Sequence, residues 1–185
     1  RSSNNNLKSL TLSKGNLNFN KSTTTYNVDV DKDTTSVKIE ASLEDGKSSF
    51  ENGFGPRTIN LNPGNNTIYI KVRNEIGNIK TYTINITRPD TRSKNNYLSS
   101  LAVSNTNITF NRNTLVYNLS TTSDNVQISA TKDDNKASVT GTGRFNLNYG
   151  TNTYRVNVTA ENGSTRTYTI NINREAITII DNLIK

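Results

Sequence analysis

The sequence predicts an all-β fold made of two tandem antiparallel β-sandwiches, and three observations carry that expectation. Apolar residues alternate with polar ones through most of the apolar stretches, a period of two that lines one face of a strand. The whole series of alternating stretches occurs twice, in the same order. A chain of 185 residues also suits two cores of about 90 residues better than one.

The first copy opens with Leu7-Lys8-Ser9-Leu10-Thr11-Leu12-Ser13. Past the turn Lys14-Gly15-Asn16 comes Leu17-Asn18-Phe19, and both pieces read as short strands. They return 91 residues later as Leu98-Ser99-Ser100-Leu101-Ala102-Val103-Ser104 and Ile108-Thr109-Phe110. Tyr26-Asn27-Val28-Asp29-Val30 is matched by Tyr117-Asn118-Leu119. Val37-Lys38-Ile39-Glu40-Ala41 is matched, at a shift of 89, by Val126-Gln127-Ile128-Ser129-Ala130. The middle of each copy, 44–57 and 133–144, is rich in Gly, Ser and Asp and reads as loops around one short strand.

The closing hairpin is the clearest repeat. Gly64-Asn65-Asn66-Thr67-Ile68-Tyr69-Ile70-Lys71-Val72, a turn with Glu75 and Gly77, and Thr81-Tyr82-Thr83-Ile84-Asn85-Ile86-Thr87-Arg88 come back after 86 residues. The second version runs from Gly150 to Val158, turns at Glu161-Asn162-Gly163 and ends on Thr167 to Arg174. Such turn residues tolerate the positive φ that a hairpin needs. The shift falls from 91 to 86, so the second copy has lost loop residues and kept its strands. About seven short strands per copy, roughly 8–12 residues apart, predict an immunoglobulin-like sandwich. The inward row of the first copy is expected to be Leu10, Leu12, Phe19, Tyr26, Val28, Val37, Ile39, Leu61, Ile68, Ile70, Val72, Tyr82, Ile84 and Ile86.

Residues 1–88 thus form the first sandwich and 98–174 the second, with 89–97 as a linker in which Pro89 ends the last strand. Residues 175–185 are a tail or the start of another module. Ile177, Ile180 and Ile184 stand at helical spacing, Ile177 and Ile179 at strand spacing, so its conformation stays open. The chain begins Arg1-Ser2-Ser3 without Met and reads as an excised fragment, any signal or anchor lying outside it.

Composition excludes several chemistries. The chain has no His, Cys, Met or Trp. It therefore has no Ser-His-Asp or Cys-His nucleophile, no disulfide and no zinc site of the usual nitrogen and sulfur ligands. No stretch approaches the roughly 20 apolar residues of a membrane span. The net charge of +7 is spread evenly, +3 over residues 1–90 and +4 over 91–185, without a basic run. That distribution suits a mildly basic solvated surface and argues against nucleic acid, whose partners concentrate their charge. Neither an enzyme nor a cofactor is expected, and the chain reads as a monomer without membrane insertion.

The string Gly-x-Asn-Thr-x-x-Val-x-Val, then Glu-Asn-Gly, then Thr-Tyr-Thr-Ile-x-Ile-x-Arg, preceded by Leu-x-x-Leu-x-(Leu/Val)-Ser and Tyr-x-(Val/Leu), resembles the bacterial cadherin-like β-sandwich module. The resemblance spans residues 7–88 and 98–174. The first copy departs from it in the turn, where Glu75-Ile76-Gly77-Asn78 stands. It implies two tandem immunoglobulin/cadherin-like antiparallel sandwiches, non-catalytic modules of secreted or cell-wall-attached proteins of Gram-positive bacteria. The implied role is a spacer or accessory segment, with an adhesin or carbohydrate-binding module as the alternative. The implied partners are neighbouring domains, then cell-wall polysaccharide or a host surface protein.

Candidate sites are few. Tyr69, Lys71 and Arg73 share one outward row that can meet anionic wall polymers, and Tyr149, with Tyr69, Tyr97 and Phe54, offers aromatic faces to a sugar. Asp29, Asp31 and Asp33, with Glu40, match the acidic positions of a calcium loop, a weak candidate because Thr34 stands where that loop needs glycine. Tyr26, Tyr82, Tyr117 and Tyr168 fall on inward rows and are expected in the cores with their hydroxyls satisfied.

Overall fold

The computed structural model describes residues 1–178, which fall into two compact units meeting between Thr91 and Arg92. Each is a seven-stranded sandwich, and no helix occurs among the described residues. In the first unit β1 (Leu7–Leu12), β3 (Ser36–Leu43) and β5 (Arg57–Asn60) form one sheet in the order β1-β3-β5. The other sheet contains β2 (Thr25–Asp29), β7 (Ile79–Arg88), β6 (Gly64–Arg73) and β4 (Ser49–Phe50), in the order β2-β7-β6-β4.

The second unit repeats this plan. Its sheets are β8 (Leu98–Val103), β10 (Asn125–Lys132) and β12 (Gly143–Asn146), then β9 (Val116–Thr121), β14 (Thr165–Arg174), β13 (Gly150–Thr159) and β11 (Ser138–Thr140). Their orders are β8-β10-β12 and β9-β14-β13-β11. All pairings are antiparallel except β2 with β7 and β9 with β14, which are parallel.

The alternating rows face inward as expected. Ile68, Ile70, Val72, Tyr82, Ile84 and Ile86 are buried in one core, and Val156, Val158, Tyr168, Ile170 and Ile172 in the other. Leu12 and Phe19 sit at the core edge. Two core residues of the first unit lie outside the expected row, Leu7 and Val30. Leu7 is buried together with Leu10, three residues on, which strict alternation forbids. The reason is a bulge: Leu7 pairs with Leu43 but Ser9 with Ser42, so Lys8 is the extra residue and the strand turns over once. Leu98 and Leu101 are placed alike, with Ser99 as the extra residue between the pairs Lys132–Leu98 and Thr131–Ser100. The Leu-x-x-Leu signature is a β-bulge written in sequence.

At the bulge the amide of Leu7 points into the core, where it needs an acceptor. The hydroxyl of Tyr82, on the opposite sheet, accepts it at 3.0 Å. Tyr168 accepts the Leu98 amide at 3.1 Å and donates to Arg112 O at 2.9 Å. The other two inward tyrosines each clamp a turn. The Tyr26 hydroxyl accepts from Asn20 N and donates to Asn20 O at 2.7 Å, and Tyr117 does the same with Asn111.

The hairpins are braced from their bases. Asn66 accepts from Asn62 N and donates to Asn62 O and Ile86 O, which closes the β5–β6 turn. Asn152 makes the same three bonds with Asn148 and Ile172. The preceding Gly64 and Gly150 have φ of 93° and 87°, a conformation that explains the glycine in Gly-x-Asn-Thr.

Two sequence expectations change. Leu17–Phe19 and Ile108–Phe110 are not strands, because this stretch carries the chain from one sheet to the other and pairs with neither. Leu17, Phe19, Ile108 and Phe110 still pack against the cores. Residues 93–97, read as linker, are bonded to the second unit, as described below. Glu175 N donates to Thr121 O, and the choice between helix and strand for the tail rests on residues outside those described.

Replacing Tyr82 by Phe leaves a buried amide unsatisfied, so the first unit is expected to lose about 1–3 kcal/mol of stability. That corresponds to a Tm lower by roughly 4–8 °C per kcal/mol. Tyr168→Phe removes a donated bond as well and is expected to cost the second unit more. Urea unfolding followed unit by unit, with NMR reporters, measures both.

Candidate functional site

Ahead of its first strand, each unit carries a short polar segment folded onto the tip of its closing hairpin. Ser2 N donates to the Glu75 carboxylate at 2.7 Å, and the Ser2 hydroxyl bonds Asp45. Asn4 N donates to Ser2 Oγ, and Asn6 N to Asn4 Oδ1, so the segment coils on its own side chains. Asn74, buried in the hairpin turn, donates to Ser3 O at 2.9 Å.

The second unit repeats the arrangement with Ser93, Glu161, Asp134 and Asn95. The repeat therefore begins at Ser-x-Asn-Asn-x-Leu, Ser2 to Leu7 and Ser93 to Leu98, ahead of the first apolar strand. That signal was present in the sequence, but it is carried by polar residues, which periodicity reading passes over.

The carboxyls of Asp45 and Asp134 titrate below their ordinary value of 3.8. The first cause is the serine hydroxyl, the second the main-chain amide of Lys47 or Lys136. Glu44 is lowered chiefly by the side chains of Asn6 and Asn4, with Lys21 adding charge.

On this cap the two units diverge. In the first, Lys80 Nζ donates to Asn6 Oδ1 at 2.7 Å and Lys21 pairs with Glu44 at 3.5 Å. In the second, Tyr97 replaces Asn6, and two arginines replace the lysines. The Arg112 and Arg166 guanidinium carbons lie 4.0 and 3.8 Å from the centre of the Tyr97 ring. Arg166 Nε donates to Oδ1 of the buried Asn96 at 3.0 Å, and Arg112 faces Asp133 across 3.6 Å. Around them opens a cavity of about 580 Å³ lined also by Lys94, Asn162 and Ser164.

The residues singled out from sequence fare differently. Tyr69 is exposed on β6, but Lys71 lies over the Phe54 ring at 4.5 Å, and Arg73 is held by Glu51 and Gly77 O. The row exists, with two of its three members occupied within the unit. Tyr149 is 67% exposed and covers the guanidinium of Arg174 at 3.9 Å. It belongs to the other unit from Tyr69.

The structure does not gather Asp29, Asp31 and Asp33. The Asp31 carboxylate accepts from Asp33 N and Thr34 Oγ1, and the Thr34 bond is the main cause of its lowered pKa. No group of three potential ligands that could hold a metal ion occurs among the described residues. Sequence reading does not bring Tyr97, Arg112 and Arg166 together, because only the fold joins positions 15 to 69 residues apart.

The fold and the polar caps define the class: a tandem repeat of a small β-sandwich that buries no titratable cluster among its described residues. The model of the Cadherin-like beta sandwich domain family matches residues 7–89 and 98–175, and the chain belongs to that family. No curated protein matched. Among solved structures the chain is similar to the human Desmocollin-1 ectodomain, at 9% identity and a TM-score of 0.30, covering 94% of this chain and 41% of that one. It is similar to the fibronectin(III)-like modules of Clostridium thermocellum CbhA, at 8% identity and a TM-score of 0.25, covering 91% and 95%. It is also similar to murine CEACAM1b, at 11% identity and a TM-score of 0.26, covering 96% and 88%. At these scores the three structural likenesses carry no argument. No helix among the described residues is long and apolar enough to cross a membrane.

The lowered carboxyls make an acid prediction. A carboxyl whose pKa falls on folding stabilises the fold fully above its unfolded value, and the contribution disappears as pH drops through the folded one. Both units are thus expected to weaken below the ordinary value of 3.8. Ser93→Ala is expected to return the Asp134 pKa toward 3.8 and to flatten the acid arm of the second unit alone. Carboxyl ¹³C titration alongside urea midpoints from pH 2 to 6 checks it.

Proposed function

We propose that the chain is a non-catalytic tandem spacer and accessory segment of a bacterial cell-surface or secreted protein, placed between neighbouring domains of a longer polypeptide. The supporting observation is where the chain enters and leaves each unit. Entry is pinned to the hairpin tip, by Ser2 to Glu75 and Asn5 to Asn78 in the first unit and by Ser93 to Glu161 in the second. The last strand starts at that tip and runs ten residues away from it, Ile79–Arg88 or Thr165–Arg174. Entry and exit therefore lie at opposite poles, about 33 Å apart at strand rise.

Tension between the poles acts along the strand axes. β7 is drawn past its parallel neighbour β2, whose five rungs run in register from Thr25–Thr83 to Asp29–Thr87. At the same time β1 is drawn past β3. Bonds loaded side by side in shear must break together, whereas an unzipping strand breaks them in turn. A module that holds a neighbour at a distance needs this property.

Pulling the whole chain from its ends in single-molecule force spectroscopy is expected to give two separate unfolding events, each releasing about 270 Å of contour. Smooth extension, or one merged event, would overturn the reading. Surface location is checked separately, by protease shaving of intact cells that carry the full protein.

A further inference from the structure

We infer that the cavity beside Tyr97 in the second unit is a binding site for an oxyanion, a phosphate or carboxylate group carried on a larger ligand. The inference goes beyond the spacer role and does not depend on it. Arg112 and Arg166 meet on one tyrosine ring, at 4.0 and 3.8 Å from its centre. A guanidinium stacked on an aromatic face keeps its N–H edges free for planar, two-pronged bonds to oxygen.

Arg166 uses Nε on Asn96, and its two terminal nitrogens have no hydrogen-bond partner among the described residues. Among the described residues the Arg112 guanidinium has one charged partner, Asp133 at 3.6 Å, and that carboxylate already accepts from Asn95 at 2.8 Å. With Lys94, three cations line the cavity of about 580 Å³, and Asp133, which faces Arg112, is not among the lining residues. The ring is covered by the two guanidiniums, which favours an anionic group over a neutral sugar face.

The first unit supplies the comparison. At the same places it has Asn6, Lys21, Lys80 and Glu44, and there the charges are consumed internally. Lys80 bonds Asn6 at 2.7 Å, while Glu44 takes Asn4, Asn6 and Lys21. In the second unit Asp133 faces Arg112 at 3.6 Å much as Glu44 faces Lys21 at 3.5 Å, so the copies part at the other two positions. Tyr97, lacking a side-chain amide, meets Arg166 with its ring face. The same fold position is tied by a lysine–asparagine bond in one copy and lined by two stacked arginines in the other.

The test is an NMR titration of the full chain at constant ionic strength, following the Arg Nε and Tyr97 signals, with inorganic phosphate and then galacturonate as probes. Saturable shifts at Arg112, Arg166 and Tyr97 are expected, with Kd on the order of 1 mM, while Lys21 and Lys80 of the first unit stay unmoved. Arg112→Gln with Arg166→Gln is expected to weaken binding at least tenfold, by about 1.4 kcal/mol per tenfold. Arg112→Lys with Arg166→Lys keeps the charge, loses the fork and is expected to fall between.

No saturation, equal shifts in the first unit, or full binding by the Gln variant would each overturn the site. Full binding by the Lys variant would overturn the paired-fork geometry. Polymers then separate the sources: tighter binding of polyphosphate than of polygalacturonate assigns phosphate, and the reverse assigns the carboxylates of an acidic polysaccharide.

Discussion

Both sandwiches hang on a buried hydrogen bond that crosses from one sheet to the other. A bulge near the start of the first strand turns two leucines inward three residues apart, and it leaves a main-chain amide in the core. Tyr82 and Tyr168, fully buried on the opposite sheet, supply the acceptor. An unanswered amide in that place would cancel much of what burying the leucine contributes, since each is worth a few kcal/mol at most. The bulge, the two leucines and the tyrosine are therefore one device. Its position sets the register of the first strand, and hence which face of the sheet meets the core.

Around this device the two copies share a polar framework as well as an apolar one. Asn66 and Asn152 close equivalent turns, and Asn20 and Asn111 are clamped by equivalent tyrosines. On the outer face Thr67, Asn85 and Asn27 form a ladder across three strands, as do Thr153, Asn171 and Asn118. Much of the asparagine and threonine is thus structural, holding turns and strands that thin cores alone would hold loosely. The differences between copies gather where the framework is finished. The lost loop residues leave Arg174 without the carbonyl that Lys32 offers Arg88, and Tyr149 covers its guanidinium instead. At the cap, two lysines become arginines around Tyr97.

What was legible in the sequence follows from which forces leave a period behind. Burial on one face of a strand writes itself every second residue, so strands such as Ile68–Val72 and Tyr82–Ile86 could be read directly. The bulge breaks that period, and Leu7 escaped the inward row for that reason. The segment at Leu17–Phe19 looked like a strand because its apolar residues do face a core, although its backbone pairs with neither sheet. Periodicity passes over the caps because serine, asparagine and glutamate bond by geometry, and their spacing becomes meaningful only when the same four residues of Ser-x-Asn-Asn-x-Leu are seen twice. For the site, sequence placed Tyr69, Lys71 and Arg73 on one row correctly. It could not show that Glu51 and Phe54 already occupy two of them, nor bring Tyr97, Arg112 and Arg166 together.

A unit that admits its chain at one pole and releases it at the other cannot be spliced into a surface loop of a host domain, because the host would have to bridge the full height of the sandwich. It can only be threaded in line. Evolution then has one cheap way to alter such a tandem chain: duplicate or delete whole copies, changing contour in fixed increments. Inside such a series, a single copy remains free to exchange the residues at its tip without disturbing the length.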